Sequence, residues 1–123
     1  MNVVDSSAWL EYLADSPNAD RFAEAIEDVE DLIVPAITVY EVFKRVAQQL
    51  GEQPATEAAS AMLQAAVVPL DAGIAVAAAR LSLALRLPMA DSMILATARQ
   101  YGATLWTQDA QFEGLPDVRY YAR

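Results

Sequence analysis

The chain has 123 residues, so it buries roughly two-thirds of its unfolded surface, enough for one core and one domain spanning 1–123. With 55% hydrophobic and 20% charged residues it has a globular composition. The absence of both His and Cys excludes a Ser-His-Asp triad, a thiol nucleophile, an imidazole base and any Cys/His zinc site. Seventeen acidic against 8 basic residues give a formal charge of −9, the opposite of the usual balance in a freestanding nucleic-acid binder. Such a charge serves solubility, or it marks acids that converge on a cation.

Short apolar runs alternate with helical patterns, which predicts an α/β fold with a mostly parallel sheet. Asn2-Val3-Val4 reads as a buried strand. Ser6 or Ser7 is expected to cap a helix carrying Trp9, Leu10 and Leu13. Ser16-Pro17-Asn18 restarts the chain with Pro at a first helical position, and Phe22, Ala25, Ile26 and Val29 follow at helical spacing. Leu32-Ile33-Val34 is a second strand, ended by Pro35. Thr38 is expected to open a helix with Val39, Val42, Phe43, Val46 and Leu50 inward, closed by Gly51. Ala55 to Ala66 is an Ala-rich helix with Met62 and Leu63 inward. Val67-Val68-Pro69-Leu70 is a third strand whose Pro suggests a sheet edge. Asp71 caps a helix with Ile74, Ala77, Ala78, Leu81 and Leu85 in register. After a break at Leu87-Pro88, a sixth helix runs from about Ala90 to Tyr101 and closes at Gly102. Thr104-Leu105-Trp106 is a fourth strand and Val118-Arg119-Tyr120 a weak fifth.

No run approaches the roughly 20 apolar residues of a membrane span. The longest, Gly73 to Leu85, is interrupted by Arg80 and Ser82. The start, MNVVDSSAWLEYLAD, has acids where a signal peptide is basic, so a cytoplasmic protein is expected.

Four acids stand where a solvated charge is not normally placed. Asp5 follows a buried strand, and Asp109 lies just past another. Glu41 sits in the first turn of the third predicted helix, and Asp91 opens the sixth. Asp91, Ile94, Leu95 and Ala98 share one helix face, so this carboxylate heads an apolar stripe. A buried, unpaired carboxylate is costly and tends to take up a proton. Parallel strands put their carboxyl ends on one sheet edge, where ligands bind, and Asp5 and Asp109 belong there by position. Several acids meeting there repel, and a hard divalent cation, Mg²⁺ or Mn²⁺, relieves them.

Each acid also has a purely structural explanation. Glu41 completes Thr38-x-x-Glu41, a capping box; Asp5 and Asp91 suit positive helix ends; Asp109 suits a turn. Ser7 and Thr107 are candidate hydroxyls supporting the carboxylates, or equally a cap and a turn. Two rival functions have the same raw material. One is a Mg²⁺-binding phosphoacceptor receiver domain, for which Asp71 fits loosely but no Lys exists beyond Lys44. The other is a non-catalytic, partner-binding domain whose acids are caps.

The segments NVVDSSAWL, PAITVYEVFK, MADSMILATA and TQDAQF, in that order, resemble a PIN domain, specifically a VapBC-type toxin ribonuclease. The resemblance implies a three-layer α/β/α sandwich with Asp5, Glu41, Asp91 and Asp109 as the acidic quartet and Ser7 and Thr107 as supporting hydroxyls. It also implies an RNA substrate, Mg²⁺ or Mn²⁺ as cofactor, a small cognate antitoxin, a homodimer, and products bearing a 5′-phosphate and a 3′-hydroxyl.

Overall fold

In chain order the computed structural model, which describes residues 1–123, runs β1 (Asn2–Val4), α1 (Ser6–Leu13), α2 (Ala19–Glu27), β2 (Leu32–Pro35), α3 (Ala36–Leu50) and α4 (Glu52–Met62). It continues β3 (Ala66–Val68), α5 (Ala72–Leu85), α6 (Met89–Gln100), β4 (Thr104–Thr107) and β5 (Val118–Tyr120), with single 3₁₀ turns at Val29–Asp31 and Ala110–Phe112. The five strands pair in the order β3-β2-β1-β4-β5, all parallel. β1 is central, with Asn2 opposite both Leu32 and Thr104.

Strand side chains alternate between faces, and the core divides accordingly. Val4, Leu32, Val34 and Trp106 pack with Trp9, Phe22, Val42 and Met62 from α1 to α4. Val3, Ile33 and Leu105 pack with Ile74, Ala78, Ile94 and Leu95 from α5 and α6. The result is the expected α/β/α sandwich. The handedness of parallel crossovers accounts for it. Strands β1 to β3 are laid down in one direction, with helices on one face. The chain then crosses back over β1 to β4, and α5 and α6 fall on the other face.

Several local expectations are corrected. Asp5, not Ser6 or Ser7, caps α1, its carboxylate accepting from the Ala8 N–H at 3.0 Å. Pro17 lies in a turn, and α2 begins two residues later at Ala19. Val29 leaves the helical face for the 3₁₀ turn and is exposed. Pro35 is the last residue of β2 and leads straight into α3, so Thr38 lies inside the helix. α4 ends at Met62, which leaves Leu63 exposed. Leu50 and Leu85, expected inward, are also exposed, both at the ends of their helices. β3 stops at Val68, before the Pro69 that cannot donate to the ladder, and it is an edge strand as expected. Tyr101 flanks α6 rather than extending it, and Gly102 supplies the left-handed φ of 62° that turns the chain into β4. No single helix is long and apolar enough to cross a membrane.

Candidate active site at the carboxyl edge of the sheet

The strand order reverses direction between β1 and β4, which makes their carboxyl ends the natural crevice of this sheet. Asp5 follows β1 and Asp109 follows β4 by two residues. Pairing continues past β1, the Asp5 N–H donating to the Trp106 carbonyl at 3.1 Å. That bond carries the carboxylate into the interior, where Asp5 is only 2% exposed.

Asp5 is held by three donors. Its Oδ1 accepts from the Ser7 hydroxyl at 2.8 Å and from the Ala8 N–H, while Oδ2 accepts from the Thr107 hydroxyl at 2.6 Å. Burial nevertheless dominates and raises its pKa to about 6, against the lowering effect of these bonds. An ionised carboxylate offers about four acceptor directions, so one remains open. Thr107 is a two-way link: its hydroxyl also accepts from the Asp109 N–H at 2.9 Å, tying the loop that carries Asp109 to the Asp5 carboxylate. Thr107→Val keeps the shape and removes both bonds. We expect a loss of about 1–3 kcal/mol in urea unfolding, the cost of buried groups left unpaired.

Asp91 stands in the first turn of α6, half-buried. Its pKa is raised to about 7, first by burial and then by the charges of Asp109, Asp5 and Glu41; Asp109 also lies within hydrogen-bond reach of it. The acids of β1, β4, α3 and α6 therefore share one electrostatic neighbourhood. That coupling is what an α6 N-terminus turned toward the strand ends would produce.

Glu41 lies in the second turn of α3, not the first. The capping box with Thr38 does not form: α3 has no side-chain cap, and the Thr38 hydroxyl is buried without a partner. Glu41 instead accepts from the Ser6 hydroxyl of α1 at 2.9 Å, across 35 residues of sequence. Ser6 thus orients Glu41 rather than capping α1, and its place beside Ser7, directly after a strand-end acid, is the sequence signal for that role. Asp109 does cap the following 3₁₀ turn, accepting from the Gln111 N–H at 3.0 Å, so its structural role and its place at the site coexist. Gln108 carries no motif in the sequence but ties the loop after β4 to its neighbours. Its side chain donates to Glu11 at 3.1 Å and accepts from Asn18 at 3.2 Å, anchoring the β4 loop to α1.

No cationic side chain balances these carboxylates. The single ion pair is between the Met1 amine and Asp31, at the opposite end of β1. As arranged, no group of three or more His, Cys, Asp or Glu side chains is placed to hold a metal ion. The donor set is all oxygen, acidic and unneutralised, which is the chemistry a hard divalent cation requires. The receiver-domain alternative does not fit: its sheet runs 2-1-3-4-5, whereas this one runs 3-2-1-4-5. Asp71 is a helix cap accepting from the Ile74 N–H.

Solved structures with this fold are found among toxin–antitoxin proteins. One is a toxin–antitoxin complex from Klebsiella pneumoniae, 22% identical, with all of both chains covered and a TM-score of 0.83. Another is VapC20 of Mycobacterium tuberculosis, described as a sarcin–ricin loop cleaving toxin, 20% identical over 97% of this chain and 99% of that one, TM-score 0.78. A third is DNA-bound VapBC from Salmonella typhimurium, 17% identical over 99% and 98%, TM-score 0.76. No curated protein sequence matches the chain. The model of the PIN domain matches residues 3–118, nearly the whole sequence, and the chain belongs to the PIN domain family.

Proposed function

We propose that this chain, as one PIN domain over residues 1–123, is a Mg²⁺- or Mn²⁺-dependent endoribonuclease and the toxin of a VapBC-type pair, acting in the cytoplasm. What supports the reading best is that the charges of Asp109, Asp5 and Glu41 all act on the half-buried Asp91, while none of the four acids is in an ion pair. A cap needs no such company. Family membership and the toxin–antitoxin character of the structural relatives support the same reading.

Asp5 and Asp109 are assigned as the principal ligands, with Asp91 beside them. Glu41, steadied by Ser6, would orient the attacking water. Bound there, the cation supplies charge neutralisation at the phosphate and a water of lowered pKa. Ser7 and Thr107 hold the Asp5 carboxylate in one orientation, so its open acceptor direction is set before substrate arrives. Burial and neighbouring acids keep half-buried Asp91 partly protonated near neutral pH, so its strength as a ligand rises as pH climbs through about 7. With no His in the chain, an imidazole route through a cyclic phosphate is excluded.

The cleft between α1, α3 and α4 adjoins the site through Ser6 and Ser7 and carries an apolar lining of Leu10, Leu13, Val46, Leu50 and Ala58. It suits the apolar face of a short antitoxin segment. The homodimer is likewise proposed from the resemblance.

Single-stranded RNA incubated with the protein and Mg²⁺ or Mn²⁺ is expected to yield fragments with 5′-phosphate and 3′-hydroxyl ends, and a chelator should stop the reaction. In the same buffers Mg²⁺ at about a hundred times its Kd adds about 2.7 kcal/mol of stability. Cleavage undiminished by the chelator, or no cleavage with any divalent cation, overturns the assignment.

A further inference from the structure

A chain of net charge −9 must still bring a polyanion to a pocket of carboxylates, and the sequence alone does not say how. The β5 edge supplies an answer. β5 pairs with β4 so that Arg119 lies opposite Trp106, on the face shared with α1 and α2. The Arg119 guanidinium sits over the Trp106 ring at 4.6 Å, and Arg21 of α2 sits over the Tyr121 ring at 5.0 Å. The two rings are neighbours, 6.3 Å apart, and Tyr121 is braced edge-on by Phe22 at 5.7 Å. Both arginines are exposed, yet each is oriented by an aromatic face. Neither is neutralised: Asp20 and Glu24 flank Arg21 on α2, but no carboxylate reaches ion-pair distance of either guanidinium. Two residues past Tyr121, Arg123 lines the cleft that contains Ser6 and Ser7. The strip is tied to the same loop as the carboxylates through Thr107: the Tyr121 N–H donates at 2.9 Å to the Thr107 carbonyl, and the Thr107 hydroxyl holds Asp5.

We propose that Arg119, Arg21 and Arg123 form a phosphate-contacting track that leads a single-stranded RNA along the β5 edge to the carboxylates. This rests on the nuclease reading above and adds the surface that holds the strand. Unpaired guanidiniums, ordered by stacking and continuous with the acidic pocket, complement a phosphate backbone. Trp106 is covered and Tyr121 half-buried, so the track reads charge rather than base identity.

The test uses the full chain in an Asp91→Asn background, in which cleavage is expected to be lost, with a fluorescein-labelled RNA of about a dozen nucleotides. Affinity is measured across a salt series. Each phosphate contact contributes about 0.7 to the slope of log K against log salt for a single strand. The added pair Arg21→Gln and Arg119→Gln is expected to weaken binding alike for unrelated sequences and to flatten that slope by about 1.4. Arg119→Lys, which keeps the charge, retains the slope. Melting curves check that each variant is folded. An unchanged slope in the double variant overturns the track, while Mg²⁺-dependent cleavage by the wild type would leave the nuclease reading standing. Wild type that neither cleaves nor binds RNA removes both. An oligoglutamate peptide that binds wild type more tightly than RNA, and is lost with the two arginines, assigns the strip to an acidic protein partner and overturns the proposal.

Discussion

Asp5→Ala is expected to reduce RNA cleavage by about 10³-fold or more, beyond the loss of one preorganised electrostatic group, and to flatten the acid limb of the stability curve. The side chain caps α1 and holds the Ser7 and Thr107 hydroxyls, so its removal leaves buried donors without acceptors. The pH dependence carries a definite sign. Burial raises the folded pKa from 3.8 to about 6, so between those values the folded state keeps a proton that the unfolded chain has released. The stability this group contributes is fully present below pH 3.8 and is lost as pH rises through about 6. At 1.36 kcal/mol per unit, the shift amounts to about 3 kcal/mol. The penalty of Asp5→Ala in metal-free protein is therefore larger at pH 4 than at pH 8. Urea unfolding at the two pH values checks it, and an equal penalty at both would show that the buried carboxylate is not strained by its charge. Cleavage equal to wild type would reject the site.

Asp91→Asn separates function from stability more sharply. Cleavage is expected to disappear, while the metal-free protein becomes more stable at pH 8. In the wild type, burial and the charges of Asp109, Asp5 and Glu41 raise Asp91 from 3.8 to about 7, so its stabilising contribution is lost as pH climbs through that window. The amide never ionises and escapes the loss. A higher Tm for Asp91→Asn at pH 8, no gain at pH 4, and a smaller Mg²⁺-induced rise in Tm are the expected pattern. The cap reading predicts the reverse sign. An acid that merely favours a helix N-terminus is worth about 0.3–1 kcal/mol, and its neutralisation lowers Tm. A fall in Tm at pH 8 would therefore return Asp91 to the surface chemistry of α6.

The same opposition of terms explains how the fold carries the acids. The charges of Asp109, Asp5 and Glu41 disfavour ionised Asp91, and the fold tolerates this because the acids lie on or directly after four different elements, each well packed. Ile94 and Leu95 bury α6, Val42 and Val46 bury α3, and Val3, Val4, Leu105 and Trp106 bury the two central strands. Each fully buried aliphatic side chain is worth about 1.5–3 kcal/mol, so this packing outweighs the strain at Asp5 and Asp91.

Much of this could be read along the chain. Short apolar runs located five strands and helical spacing of apolar residues six helices, because burial leaves a local trace that needs no partner to be visible. The absence of His and Cys decided the chemistry negatively, and acids placed directly after buried runs stood out as candidates, since an ionised group there must be compensated. Where local rules competed, the sequence could not arbitrate. Thr38 and Glu41 satisfy the capping-box spacing, yet the helix begins at Ala36 and Glu41 turns to Ser6 of α1. Leu63, Leu50 and Val29 fit apolar registers that simply extend past the point where the packed surface ends. Which strands are neighbours, and that α6 returns Asp91 to the edge holding Asp5 and Asp109, depend on the crossover from β3 over β1 to β4. Local periodicity constrains residues a few positions apart; a carboxylate's neighbours across 86 residues are chosen by the handedness of chain crossings and the pairing of strands, and only the folded molecule carries that information.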